Sequence, residues 1–145
     1  MINKGVIMSK GDFKICLEEA NEFLEVAEWC NNSTRISSIY SSVVNASFSC
    51  ELYIKALMIY KSSNNEFFIG HNIENLFNLL EVSDKTAIEN LYLKKTNKSL
   101  SKLLIEIDDA FVKWRYAFEN GVSINITECL LFAETLKKYV MDNCK

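Results

Sequence analysis

The stretch from Thr34 to Lys61, TRISSIYSSVVNASFSCELYIKALMIYK, decides the fold. Neither proline nor glycine interrupts it, so it can run as one helix of about 40 Å at the usual rise of about 1.5 Å per residue. Ile36, Ile39, Tyr40, Val43, Cys50, Ile54, Leu57 and Met58 form one broad apolar stripe, while Val44, Phe48, Leu52 and Ile59 lie well away from it. Most of the remainder is small: Ser37, Ser38, Ser41, Ser42, Ala46, Ser47 and Ser49. A helix apolar on two sides and small elsewhere belongs at the centre of a helical domain, with several neighbours packed against it.

The flanking sequence supplies those neighbours. Asp12 can cap a helix in which Phe13, Leu17, Ala20, Phe23, Leu24 and Ala27 recur at three- and four-residue spacing, with glutamates on the other face. After Lys61, Ser62 to Asn65 read as a loop that Glu66 to His71 continue. Asn72 can cap a short third helix, and Ser83 and Asp84 can start a fourth through Ala87, Ile88, Leu91 and Tyr92. A fifth helix is expected from about Ser99 to Asn120, stopped by Gly121, and a sixth from Asn125 and Glu128 through Val140. The sixth presents Leu130, Leu131, Ala133, Leu136, Tyr139 and Val140 to the core. The expectation is an all-α fold forming a single domain over residues 1–145, with its core at about 12–142.

Composition excludes several function classes. No apolar run is long enough for a signal peptide or a membrane span, which places the expected location in the cytoplasm. The five cysteines, at 16, 30, 50, 129 and 144, are an odd set without a Cys-x-x-Cys pair and read as small buried hydrophobes. Nothing in the chain calls for a metal or a cofactor, and there is no phosphate loop, G-x-G-x-x-G or H-E-x-x-H motif. A net charge of −3 argues against strong nonspecific nucleic-acid binding over the whole surface. One local exception is the lysine-rich segment around Lys94, Lys95 and Lys98, which is either a solvated helix end or an RNA-contacting patch.

Charges also fall where a core is expected. Asp108, Arg115 and Glu119 of the fifth helix lie within about 40° of one another on a helical wheel, between the main stripe and a second stripe of Ile105, Val112 and Tyr116. Glu51 and Lys55 stand four apart on the second helix, again beside apolar surface. Burying an unpaired ion costs several kcal/mol, so these groups must pair, reach water or contact a ligand. Both a structural network of Glu51, Lys55, Arg115 and Glu119 and a functional site satisfy that requirement. His71, the only histidine, follows Gly70 at the entrance to the third helix, where a capping or loop-anchoring role is the simplest expectation.

Three segments taken together resemble the HEPN domain family: SCELYIKALMIY (Ser49–Tyr60), GHNIENLFNLL (Gly70–Leu80) and FVKWRYAFENG (Phe111–Gly121). Their order matches the family's, and the resemblance spans about Phe13 to Tyr139. It implies a helical bundle built on two long antiparallel helices plus shorter ones, usually dimeric, and associated with nucleotides or RNA. It also implies a microbial toxin-antitoxin or phage-defence setting.

Ribonuclease members carry an Arg, four to six residues, then a His; dimerisation brings two such motifs together over RNA. Arg115 matches the arginine, whereas Asn120, Gly121 and Val122 occupy the places of the histidine. The expectation is therefore a binding protein in which Arg115, Tyr116 and Glu119, facing Glu51 and Lys55, form a nucleotide- or RNA-phosphate pocket. Two alternatives stand beside it. One is an active metal-independent endoribonuclease using Arg115 with Glu119 or His71. The other is a protein interaction module with a cognate protein partner.

Overall fold

The computed structural model describes residues 7–33, 37–107 and 126–145. Six helices are present among them: α1 (Phe13–Asn31), α2 (Ser37–Lys61), α3 (Ile73–Asn78), α4 (Val82–Thr96), α5 (Leu100–Glu106) and α6 (Ile126–Asn143). Two three-residue strands, β1 (Met8–Lys10) and β2 (Glu66–Phe68), join them. No helix among the described residues is long and apolar enough to cross a membrane.

α2 is the axis of the bundle. Every residue from Ser49 through Ile59 is buried, which is what two apolar faces and a small third face require. The helix α1 lies antiparallel along it: Ser42 Oγ donates to the Ala27 carbonyl at 2.7 Å, and Ser49 Oγ donates to the Ala20 carbonyl at 2.9 Å. Both serines and both alanines are fully buried and repeat at the same interval along their helices. Small side chains let the two backbones approach, and the hydroxyls are satisfied on the neighbouring helix instead of on their own. Ser49→Ala should therefore cost only about 1 kcal/mol, whereas Ser49→Leu should cost about 1–3 kcal/mol by forcing the helices apart. Urea midpoints of the two variants check the order.

On its other side α2 meets α6. Ser47 lies against Cys129 near the start of the contact, and Tyr60 reaches the Lys145 carbonyl near its end, so these two helices run in the same direction. α4 runs antiparallel to α6, with contacts from Lys95 to Glu134 and from Asp84 to Tyr139. Phe132 of α6 sits at the junction. Its ring centroid is 6.3 Å from Phe77 of α3 and 6.1 Å from Tyr92 of α4, both edge-on. All five cysteines are free thiols, and four of them are buried.

The structure corrects the sequence reading at four places. The segment after Asn65 is not only loop: β2 pairs antiparallel with β1, with Met8 opposite Phe68, Ser9 opposite Phe67 and Lys10 opposite Glu66. Asn65 adopts a left-handed conformation at the turn, which asparagine tolerates. α4 begins at Val82, and Asp84 is a buried acceptor within the helix instead of its start signal. In α6 the buried residue is Phe132, and Leu131 is only half-buried. Finally, α5 closes at Ile107, whose N–H bonds to the Leu103 carbonyl. The long antiparallel pair among the described residues is thus α1 with α2. The rest of the expected fifth helix lies outside the described residues, as does the Asn125 cap.

Candidate functional site

The most unusual polar arrangement is centred on Glu51, one turn before Lys55 on the buried part of α2. Glu51 is 3 % exposed and Lys55 8 %, so their charges are almost withdrawn from water. Lys55 Nζ donates to Glu51 Oε2 at 3.1 Å. The second carboxylate oxygen, Oε1, lies 3.0 Å from Nδ1 of His71. One buried carboxylate therefore satisfies both oxygens on two basic groups from separate segments. Phe67 of β2 completes the enclosure, with Lys55 Nζ 5.6 Å from its ring centroid.

The ribbon explains how His71 arrives there. β2 runs out of its pairing at Ile69, whose N–H bonds to the Ile7 carbonyl. Gly70 then takes φ +146°, a conformation that side chains rarely adopt, and this turn brings the next residue back towards α2. His71 keeps 62 % of its side chain exposed while its Nδ1 is held on the carboxylate. In the neutral ring, Nδ1–H is the donor to Glu51, which leaves the acceptor lone pair on Nε2.

These residues line a groove of about 360 Å³ between α1, α2 and β2. Ile15, Phe48, Leu52, Ile59 and Phe67 form its apolar surface; Asp12, Glu19, Glu51, Lys55 and His71 supply the polar groups. Gly11 passes so close that a Cβ there would stand 2.8 Å from Ile59 Cδ1 and 3.1 Å from the Phe67 ring. Cys16 also lines the groove, donating to the Leu52 carbonyl at 3.2 Å. Burial, reinforced by Glu19, pushes its thiol up to about 12, so it is no thiolate nucleophile at neutral pH.

The structure thus brings together three of the residues singled out in the sequence, Glu51, Lys55 and His71. Arg115, Tyr116 and Glu119 lie outside the described residues. The expected RNA-contacting lysines are in α4 and the turn after it. Lys95 pairs with Glu134 at 3.1 Å and Lys98 pairs with Glu128, both on α6. Lys94 is exposed and, among the described residues, has no carboxylate within ion-pair distance.

A second buried carboxylate went unnoticed in the sequence. Asp84 is 3 % exposed, accepts a hydrogen bond from the Tyr139 hydroxyl, and has Lys61 Nζ at 3.6 Å from Oδ1. Burial and the adjacent Asp84 carboxylate push the Tyr139 phenol up. The signal was present, because Asp84 precedes Ile88 and Tyr92 at four-residue spacing and so shares their buried face. This cluster ties α2, α4 and α6 together.

The architecture is that of a helical bundle with a carboxylate-centred polar site beside its long antiparallel pair. The HEPN domain family model matches residues 13–143, and the chain belongs to that family. No curated protein and no solved structure matches it.

Proposed function

We propose that the chain is a dimeric, nucleotide- or RNA-associated HEPN protein of a microbial toxin-antitoxin or phage-defence system, and that it binds its ligand without cleaving it. The observation that carries this reading is the Glu51, Lys55 and His71 constellation opening on a groove in a domain whose family is nucleotide- and RNA-associated. In this reading Arg115, Tyr116 and Glu119 also contact the ligand, and the chain acts as a dimer. Fluorescence anisotropy with a labelled single-stranded RNA tests it. Saturable binding at low salt is expected, with a shallow salt dependence because Lys95 and Lys98 are already neutralised by carboxylates. Lys94→Glu should weaken binding more than Lys95→Glu. No binding at low salt would leave the protein interaction module as the better reading.

One observation favours a second reading. An imidazole oriented through Nδ1 by a buried carboxylate, with Nε2 as its remaining acceptor, has the arrangement of a general base. Attack by a ribose 2′-hydroxyl on the adjacent phosphate forms a 2′,3′-cyclic phosphate and breaks the P–O5′ bond. It needs such a proton acceptor, which then returns the proton to the leaving 5′-oxygen, together with a cation such as Arg115 for the charge that develops on the phosphoryl oxygens. Cleavage of RNA in the presence of a metal chelator, lost in both His71→Ala and Arg115→Ala, would establish the endoribonuclease.

A further inference from the structure

We infer that the groove between α1, α2 and β2 takes an unpaired nucleobase and excludes phosphate, so that any nucleotide enters it base first. This rests on the reading of the chain as a nucleotide- or RNA-associated protein and specifies which part of the ligand the site holds. The charge balance argues against phosphate. Three carboxylates, Asp12, Glu19 and Glu51, line the groove against two basic groups, Lys55 and His71, and both of these are already held by Glu51, at 3.1 and 3.0 Å. Asp12 and Glu19 are exposed at the rim, where an incoming phosphate would meet them without a compensating cation among the described residues.

A base meets the opposite situation. Its faces match an apolar surface that includes the rings of Phe48 and Phe67. Its N–H groups match the rim carboxylates, which only accept hydrogen bonds when ionised. In the neutral ring that donates Nδ1–H to Glu51, the lone pair on His71 Nε2 adds a further acceptor at the same opening. The volume of about 360 Å³ suits one flat heterocycle and its sugar, not a folded peptide segment. The preference therefore runs to the base that presents most donors on one edge: guanine, with a ring N–H beside an amino group, ahead of uracil, with one N–H. A free nucleoside and a base splayed from single-stranded RNA offer the same chemistry.

Titration of the intact protein with guanosine, uridine and guanosine 5′-triphosphate, followed through the His71 imidazole signal, tests the inference. Guanosine should shift that signal and bind more tightly than uridine. The triphosphate should bind about tenfold more weakly than guanosine, the ratio that ~1.4 kcal/mol of like-charge repulsion gives. Glu19→Lys, at an exposed position, should remove most of that tenfold difference. Guanosine that leaves the signal unmoved, uridine that matches it, or triphosphate that binds more tightly overturns the inference. Binding of labelled RNA separates the two levels of the argument: RNA bound without any response to nucleoside sinks the base-first groove alone, and loss of both sinks the functional reading as well. An oligonucleotide with one abasic site per molecule, compared with its parent, shows whether the base comes from RNA or from the free nucleoside.

Discussion

Replacing Glu51 with alanine is expected to destabilise the fold by about 3–5 kcal/mol, the range for breaking a buried ion pair from one side. The carboxylate is the shared partner of Lys55 and His71, and its loss strands an ammonium that is 8 % exposed in apolar surroundings. The Phe67 ring 5.6 Å from Nζ offers only partial compensation. The double replacement Glu51→Leu with Lys55→Met should recover most of the loss, because neither charge then remains to be desolvated. Urea denaturation followed by circular dichroism checks both statements. If Glu51→Ala costs less than about 1 kcal/mol, the pair behaves like a surface salt bridge and the description of the site is wrong.

Phe132→Ala is the other large effect, at about 3–5 kcal/mol for removal of a fully buried aromatic ring. Phe132 is 0 % exposed and packs edge-on against both Phe77 and Tyr92, so the deletion leaves a cavity where α3, α4 and α6 meet. The two remaining rings belong to different helices and cannot both move in to fill it without shifting the helices themselves. Phe132→Leu should cost markedly less. Near-ultraviolet circular dichroism adds a readout that stability alone does not give, since loss of the edge-on contacts should weaken the tyrosine signal.

The central helix was legible because its sequence is extreme. Two apolar faces with serines and alanines between them leave a helix only one place to go, and the buried run from Ser49 to Ile59 follows. The Asp12 and Asn72 caps were legible for a local reason: each side chain accepts from the backbone N–H three residues on. What the pattern did not disclose depends on partners distant in the chain. Strands of three residues carry too little periodicity to announce themselves, so the β1–β2 ribbon emerges only from its pairing.

The candidate site divides in the same way. The i,i+4 spacing marked Glu51 and Lys55 as a pair, but nothing local connects His71 to Glu51. That contact requires the ribbon and the positive φ of Gly70 to return the chain to α2. Asp84 illustrates the opposite error: its spacing with Ile88 and Tyr92 was available, yet an aspartate near a helix start reads first as a cap. The lysines of α4 and the turn after it could be counted in the sequence, whereas the carboxylates of α6 that neutralise Lys95 and Lys98 could be assigned only from the packing of the two helices.

The chain contains a single histidine, so its imidazole nitrogens can be observed alone by nitrogen-15 NMR. With the ring neutral, the Glu51 contact predicts the tautomer carrying its proton on Nδ1, and Glu51→Gln should alter that signal. A proton found on Nε2, or a spectrum indifferent to the change at Glu51, would contradict the account of the site.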